Sequence, residues 1–174
     1  GEVVERVGMK PVLIAPGELY TALERGTIDA LEWVNPALDL PMGFQRIAKF
    51  YYTGWHEPAA ELQVFVNKEK FEALPEDLRT IIQVAAKASS LDMLSESVYR
   101  NTLAWEKLVK EDKIRVRTFP KDVLDAKRKA NNDLLNEMAA KNPELKEVID
   151  SQREFLAKAK EWTKVSEFEY LRIR

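Results

Sequence analysis

The stretch from Pro75 to about Lys113 sets the scale of whatever this chain folds into. Pro75 suits the first position of a helix, and Glu76 and Asp77 suit the positive end of the helix dipole. Leu78, Ile81, Ile82 and Ala85, and then Leu91, Leu94 and Val98, recur at helical spacing, with Leu103, Trp105 and Leu108 beyond them. A continuous helix of that span is roughly 55 Å long and would cross a whole small protein. Ala88-Ser89-Ser90 is its expected kink.

More helix surrounds it. Lys68 to Leu74 reads as a short helix capped by Asn67. Ile114 to Phe119 alternates and reads as a strand. Pro120 to Lys141 is a further helix, Asn142-Pro143 a turn, and Glu144 to Thr163 a last helix. Charges of both signs alternate along these helices, the pattern of solvated faces. Trp162 and the tail residues Phe168, Tyr170, Leu171 and Ile173 are too apolar to be left in water.

The first 67 or so residues differ in character. Gly1 to Gly8 is a short helix stopped by glycine. Val12 to Ala15 reads as a buried strand, Pro16-Gly17 as a turn, and Glu18 to Arg25 as a helix closed by Gly26. Asp29 to Val34 reads as a second strand, Pro36 to Gly43 as a loop or short helix, and Phe44 to Tyr52 as a helix. In Glu61 to Asn67, Leu62, Val64 and Val66 form one face of a third strand. Glu61, Gln63 and Phe65 form the other. Helix and strand alternate here as in an α/β fold, where ligands sit beyond the strand C-termini. Three or four strands are few for so many helices, so partner strands are expected upstream of Gly1.

Composition removes several function classes. Among 174 residues, 27 basic and 29 acidic side chains leave a net charge of −2, which gives no footprint for nucleic acid. No cysteine is present, so there is no disulfide, thiolate metal site or cysteine nucleophile. His56 is the one histidine, which poorly supports a catalytic triad or a histidine-rich metal site. No glycine-rich phosphate loop is present, and no acid pair stands out as catalytic. No apolar run reaches the ~18 residues of a membrane span. No signal peptide is recognisable, and the chain opens at Gly1 without Met. A processed protein or a piece of a longer one is expected.

Function concentrates in Gly26 to Pro36. There Glu32 and Trp33 stand together near the end of an apolar segment, just before Asn35-Pro36. A carboxylate inside an apolar strand is costly unless paired, whereas one at a strand end beside a crevice is useful.

Several segments taken in order resemble the C-terminal half of the solute-binding proteins of TRAP transporters. They are PGELYTALERGTIDALEW (Pro16 to Trp33), Asn35-Pro36, YYTGWHEP (Tyr51 to Pro58) and VNKEKFEALPEDLR (Val66 to Arg79). The Glu32-Trp33 pair and the tail WTKVSEFEYL (Trp162 to Leu171) are most similar to the branch that binds 2-oxo or 2-hydroxy monocarboxylates together with a metal ion. The resemblance implies an α/β fold of the type II periplasmic-binding-protein kind, helix-rich, seen here as a C-terminal segment with a small sheet and long helices. Residues 1–67 would be the α/β part of the second lobe. Residues 68–143 would carry the long helix linking the lobes. Residues 144–174 would be a C-terminal helix and tail able to exchange between two protomers. The implied protein is periplasmic and non-catalytic, and it passes a small organic acid to the membrane subunits of a TRAP permease. The family's substrate-binding arginine would lie upstream of Gly1.

The resemblance further implies that Glu32 gives a carboxylate oxygen to Na⁺ or Ca²⁺. Trp33 would give its backbone carbonyl and an indole wall, and Gln63 would complete the metal site. These are oxygen donors of the kind such cations take. Asn35 and Tyr20 are candidate solute contacts. Each has a structural alternative. Glu32 can accept backbone N–H bonds in a loop, Trp33 can be core, and Asn35 before proline is a turn residue. Glu61 shares the face of Gln63 and competes with it. Tyr51, Tyr52, Trp55 and His56 read as packing and turn residues. The competing function is a non-catalytic helical interaction or assembly domain.

Overall fold

The computed structural model describes residues 1–54 and 62–174. Trp55, His56 and Glu61 lie outside the described residues.

The chain opens with one helical turn, α1 (Glu2–Glu5). A 3-10 turn over Pro16–Glu18 leads into α2 (Leu19–Glu24), which buries Leu19 and Leu23. Gly26, at φ +70, makes the left-handed turn that ends it. Then come α3 (Pro36–Met42), a 3-10 turn at Phe44–Arg46, β1 (Phe50–Thr53) and α4 (Lys68–Glu72). The remainder is α5 (Glu76–Lys110), β2 (Arg115–Thr118), α6 (Lys121–Lys141), α7 (Pro143–Val165) and α8 (Glu167–Arg172).

Five local expectations change. Val12 to Ala15 and Asp29 to Val34 form no strand, because a strand is defined by a ladder partner and neither segment has one among the described residues. Leu13 is fully exposed. Leu62 to Asn67 likewise has no regular structure. Phe44, Ile47, Ala48 and Tyr51 have helical spacing, yet the segment splits into a 3-10 turn and β1. Phe50-Tyr51-Tyr52-Thr53 is aromatic and β-favouring, and β2 pairs with it. Finally, α5 runs unbroken through Ser89-Ser90. The Ser90 hydroxyl donates to the Ala86 carbonyl at 2.9 Å, within the helix it was expected to bend.

The chain divides into two compact units. One is Leu13–Phe119. Its sheet is the parallel pair β1–β2, registered Phe50↔Arg115 through Thr53↔Thr118. Two parallel strands alone are marginal. Here the Tyr51 ring meets Trp105 of α5 edge-on at 5.3 Å, and the Tyr52 ring lies 4.6 Å from Phe119. Phe50, on the same sheet face as Tyr52, lies beneath the Arg115 and Arg117 guanidinium groups. α3 packs on α5. The buried apolar side chains are Leu19, Leu23, Phe44, Ala104, Leu108 and Ile114. The core of α5 is therefore near its C-terminal end, and its middle is exposed at Ile81, Val84, Leu91, Leu94 and Val98.

The other unit is Gly1–Val12 with Pro120–Arg174. α6 packs on α7, and α7 on α8. Ala130 and Ile149 are buried. Asn142 caps α7 by accepting from the Leu145 N–H at 3.0 Å. A two-pronged ion pair joins Arg6 to Glu137 at 2.7 and 2.6 Å, fastening the start of the chain to α6. No described helix is long and apolar enough to cross a membrane.

Candidate functional site

The segment before α3 is built by that helix's N-terminus. Pro36 has no N–H to satisfy and fixes the first helical φ. Asn35 caps the helix, its side-chain oxygen accepting from the Leu38 N–H at 3.1 Å. The Ala37 N–H donates to Asn101 of α5 at 3.0 Å, and the Asp39 N–H donates to the Asn35 carbonyl at 2.8 Å. The first-turn amides of α3 are thus committed within the protein. At the other end Gly43, at φ +77, terminates the helix. The Tyr20 ring covers it so closely that a Cβ there would stand 3.4 Å from Cε2. Gly43 therefore meets two demands, positive φ and a close aromatic neighbour.

Glu32 and Trp33 lie in the irregular run that enters this cap. Glu32 is exposed and Trp33 half-buried. Glu32 pairs with no described cation, so its oxygens face solvent. Asn35 and Tyr20 are half-buried around the same helix, at its start and beside its end. Gln63 is exposed within residues 62–67.

Asp39, not singled out in the sequence, and Tyr51, read there as a packing or turn residue, belong to this neighbourhood. The half-buried Asp39 carboxylate accepts from the Val34 N–H at 3.5 Å and from the Tyr51 hydroxyl at 3.4 Å. Burial pushes its pKa from the ordinary 3.8 up to about 6, and the Glu32 charge adds to the rise. The N–H groups of Val34 and Asn35 and the Tyr51 hydroxyl oppose it. Tyr51 is itself pushed up to about 12, by burial first and then by Asp39 and Glu32. Tyr51 reaches Asp39 from β1, whose place is set by pairing with the distant β2, and no local pattern announces that.

Asp39 and Glu32 feel one another's charge, and Trp33 follows Glu32 in the chain. The donor chemistry, hard oxygens only, fits Na⁺ or Ca²⁺. No group of three or more His, Cys, Asp or Glu that could hold a metal occurs among the described residues. A full shell here would need carbonyl, amide or ligand oxygens besides acids. Two shallow hollows lie elsewhere, one lined by Arg6, Lys129 and Asp133 among others, the second by Ala88 to Ser95. Neither is lined by Glu32, which is exposed.

Comparison with known proteins agrees with this composition. A TRAP periplasmic solute-binding protein from Colwellia psychrerythraea, solved with bound calcium and pyruvate, is 47% identical. It superposes with a TM-score of 0.96 over 100% of this chain and 53% of its own. One from Pseudoalteromonas atlantica, solved with sodium and pyruvate, is 46% identical, with a TM-score of 0.90 over 99% of this chain and 53% of its own. The monocarboxylate 2-oxoacid-binding periplasmic protein of Nostoc sp. is 32% identical over 171 residues, 98% of this chain and 47% of that protein. The chain thus spans about half the length of these relatives. Its helix-rich fold with a small parallel sheet is the one they share. The sequence model described as Bacterial extracellular solute-binding protein, family 7, matches residues 1–142, and the chain belongs to that family.

Proposed function

We propose that this chain is part of a two-lobed periplasmic binding protein that captures a small 2-oxo or 2-hydroxy monocarboxylate together with Na⁺ or Ca²⁺. The protein is not an enzyme and delivers its solute to the membrane subunits of a TRAP permease. The observation that carries this reading is the pair of solved relatives, 47% and 46% identical, that hold pyruvate with calcium or with sodium.

In this reading Glu32 and the Trp33 carbonyl hold the cation, and Gln63 adds an amide oxygen. The cation offsets the charge of the solute carboxylate, which burial would otherwise oppose. The Trp33 indole walls the solute. Asn35, its oxygen engaged in the helix cap, offers its amide N–H₂, and Tyr20 offers its hydroxyl. Closure of the lobes stabilises the bound form, which the permease distinguishes by its shape. Residues 1–67 belong to the second lobe, and residues 68–143 contain the helix that links the lobes. The apolar side chains exposed along the middle of α5 support a covering partner there, since apolar surface on this scale marks an interface. Residues 144–174 join two protomers. Exposed Phe155, Trp162, Phe168 and Leu171 support that role.

The test is intrinsic tryptophan emission of the full-length protein, titrated with pyruvate and with lactate, with and without Na⁺ or Ca²⁺. A saturable response that requires the cation is expected. No response in any condition would overturn the reading.

A further inference from the structure

We propose that Asp39 is the positioning residue for the cation ligand supplied by Trp33, acting through the Trp33–Val34 peptide. This rests on the cation site proposed above. The peptide that carries the Trp33 carbonyl also carries the Val34 N–H, and no cis peptide bond is present. In a trans peptide the C=O and N–H point in opposite directions. The Val34 N–H points at Asp39 Oδ1, 3.5 Å away. The Trp33 carbonyl therefore points away from Asp39, out of α3. Asp39 is held in turn. Its Oδ2 accepts from the Tyr51 hydroxyl at 3.4 Å, and the Tyr51 ring rests edge-on against Trp105 at 5.3 Å. The peptide that offers an oxygen to the cation is thereby tied to α3, β1 and α5 in one chain of contacts.

The groups around Asp39 explain why it is an acid. No described cation pairs with it. Its donors are neutral, the Val34 and Asn35 N–H groups and the Tyr51 hydroxyl, with the Glu32 charge nearby. A half-buried carboxylate without a cation costs stability. A leucine would be the cheaper occupant if packing alone mattered. An acceptor oxygen is needed to orient a backbone amide, and partners of this kind fix the geometry of metal ligands.

The experiment is calcium titration by calorimetry into the full-length protein at saturating pyruvate, with thermal unfolding of each variant. Asp39→Leu is expected to unfold at the same or a higher temperature, yet to bind calcium about 10–100-fold more weakly. Asp39→Asn, which keeps an acceptor oxygen, is expected to recover most of the affinity. Tyr51→Phe is expected to fall between. If Asn weakens binding as much as Leu, only the charge matters and the positioning role is overturned. Calcium affinity unchanged in Asp39→Leu but lost in Glu32→Ala also overturns it. Affinity unchanged in both variants overturns the underlying cation site as well. Should Asp39→Leu fail to fold, wild-type affinity in Tyr51→Phe is the result that refutes the role.

Discussion

Replacing Asp39 with asparagine isolates one titration that the fold perturbs strongly. The Asp39 pKa rises from 3.8 to about 6, mainly through burial. The folded state therefore holds the proton more tightly than the unfolded chain, and protonated Asp39 favours folding. That stability is fully present below about pH 4 and is lost as the pH rises toward 6 and beyond. The size of the rise sets a ceiling of ~3 kcal/mol. Asp39 keeps partial contact with water, which screens the effect, so a loss of about 1–2 kcal/mol is expected. Asparagine does not titrate. The assay is urea denaturation of the full-length protein and of Asp39→Asn without added calcium, at steps from pH 4 to pH 7. The stability of the native protein relative to the variant should fall by that amount across the window. A difference that is flat, or that grows with pH, would refute the reasoning.

Two further predictions test the scaffold. Leu108, at 2% exposure the most deeply buried side chain in the core, should cost about 2–5 kcal/mol when changed to alanine. Denaturant midpoints would read this, with the slope unchanged. Asn35→Ala removes the cap on the Leu38 N–H and should destabilise by ~1 kcal/mol. The same change should lower solute affinity by more than that loss of stability accounts for if the Asn35 amide reaches the solute, and pyruvate titration beside the melt separates the two.

Sequence reading succeeded where structure is local. Asn67 caps the helix it was expected to cap, accepting from the Lys70 N–H at 3.0 Å. Gly26 ends α2, and α6 and α7 fall close to their expected bounds. It failed where structure depends on distant partners. Val12 to Ala15 has the composition of a strand but no ladder. Tyr51 fits the helical stripe of Phe44, Ile47 and Ala48, yet β2, more than sixty residues on, draws it into a strand. Gly26 to Pro36 stood out in the sequence because an acid beside an indole in an apolar run is unusual, and folding places Glu32 and Trp33 in the irregular run that enters α3. Asp39 was not legible, since its properties come from Val34, Tyr51 and Glu32 meeting only after folding. The family resemblance is borne out by the match over residues 1–142.

The central claim is that Glu32 holds a cation that in turn holds the solute. Glu32→Ala in the full-length protein tests it most directly, with bound metal measured by elemental analysis and pyruvate affinity by calorimetry. The account predicts that bound metal is lost and that pyruvate affinity falls at least about tenfold, as removal of a ligating carboxylate requires. Unchanged metal content together with unchanged affinity would contradict it.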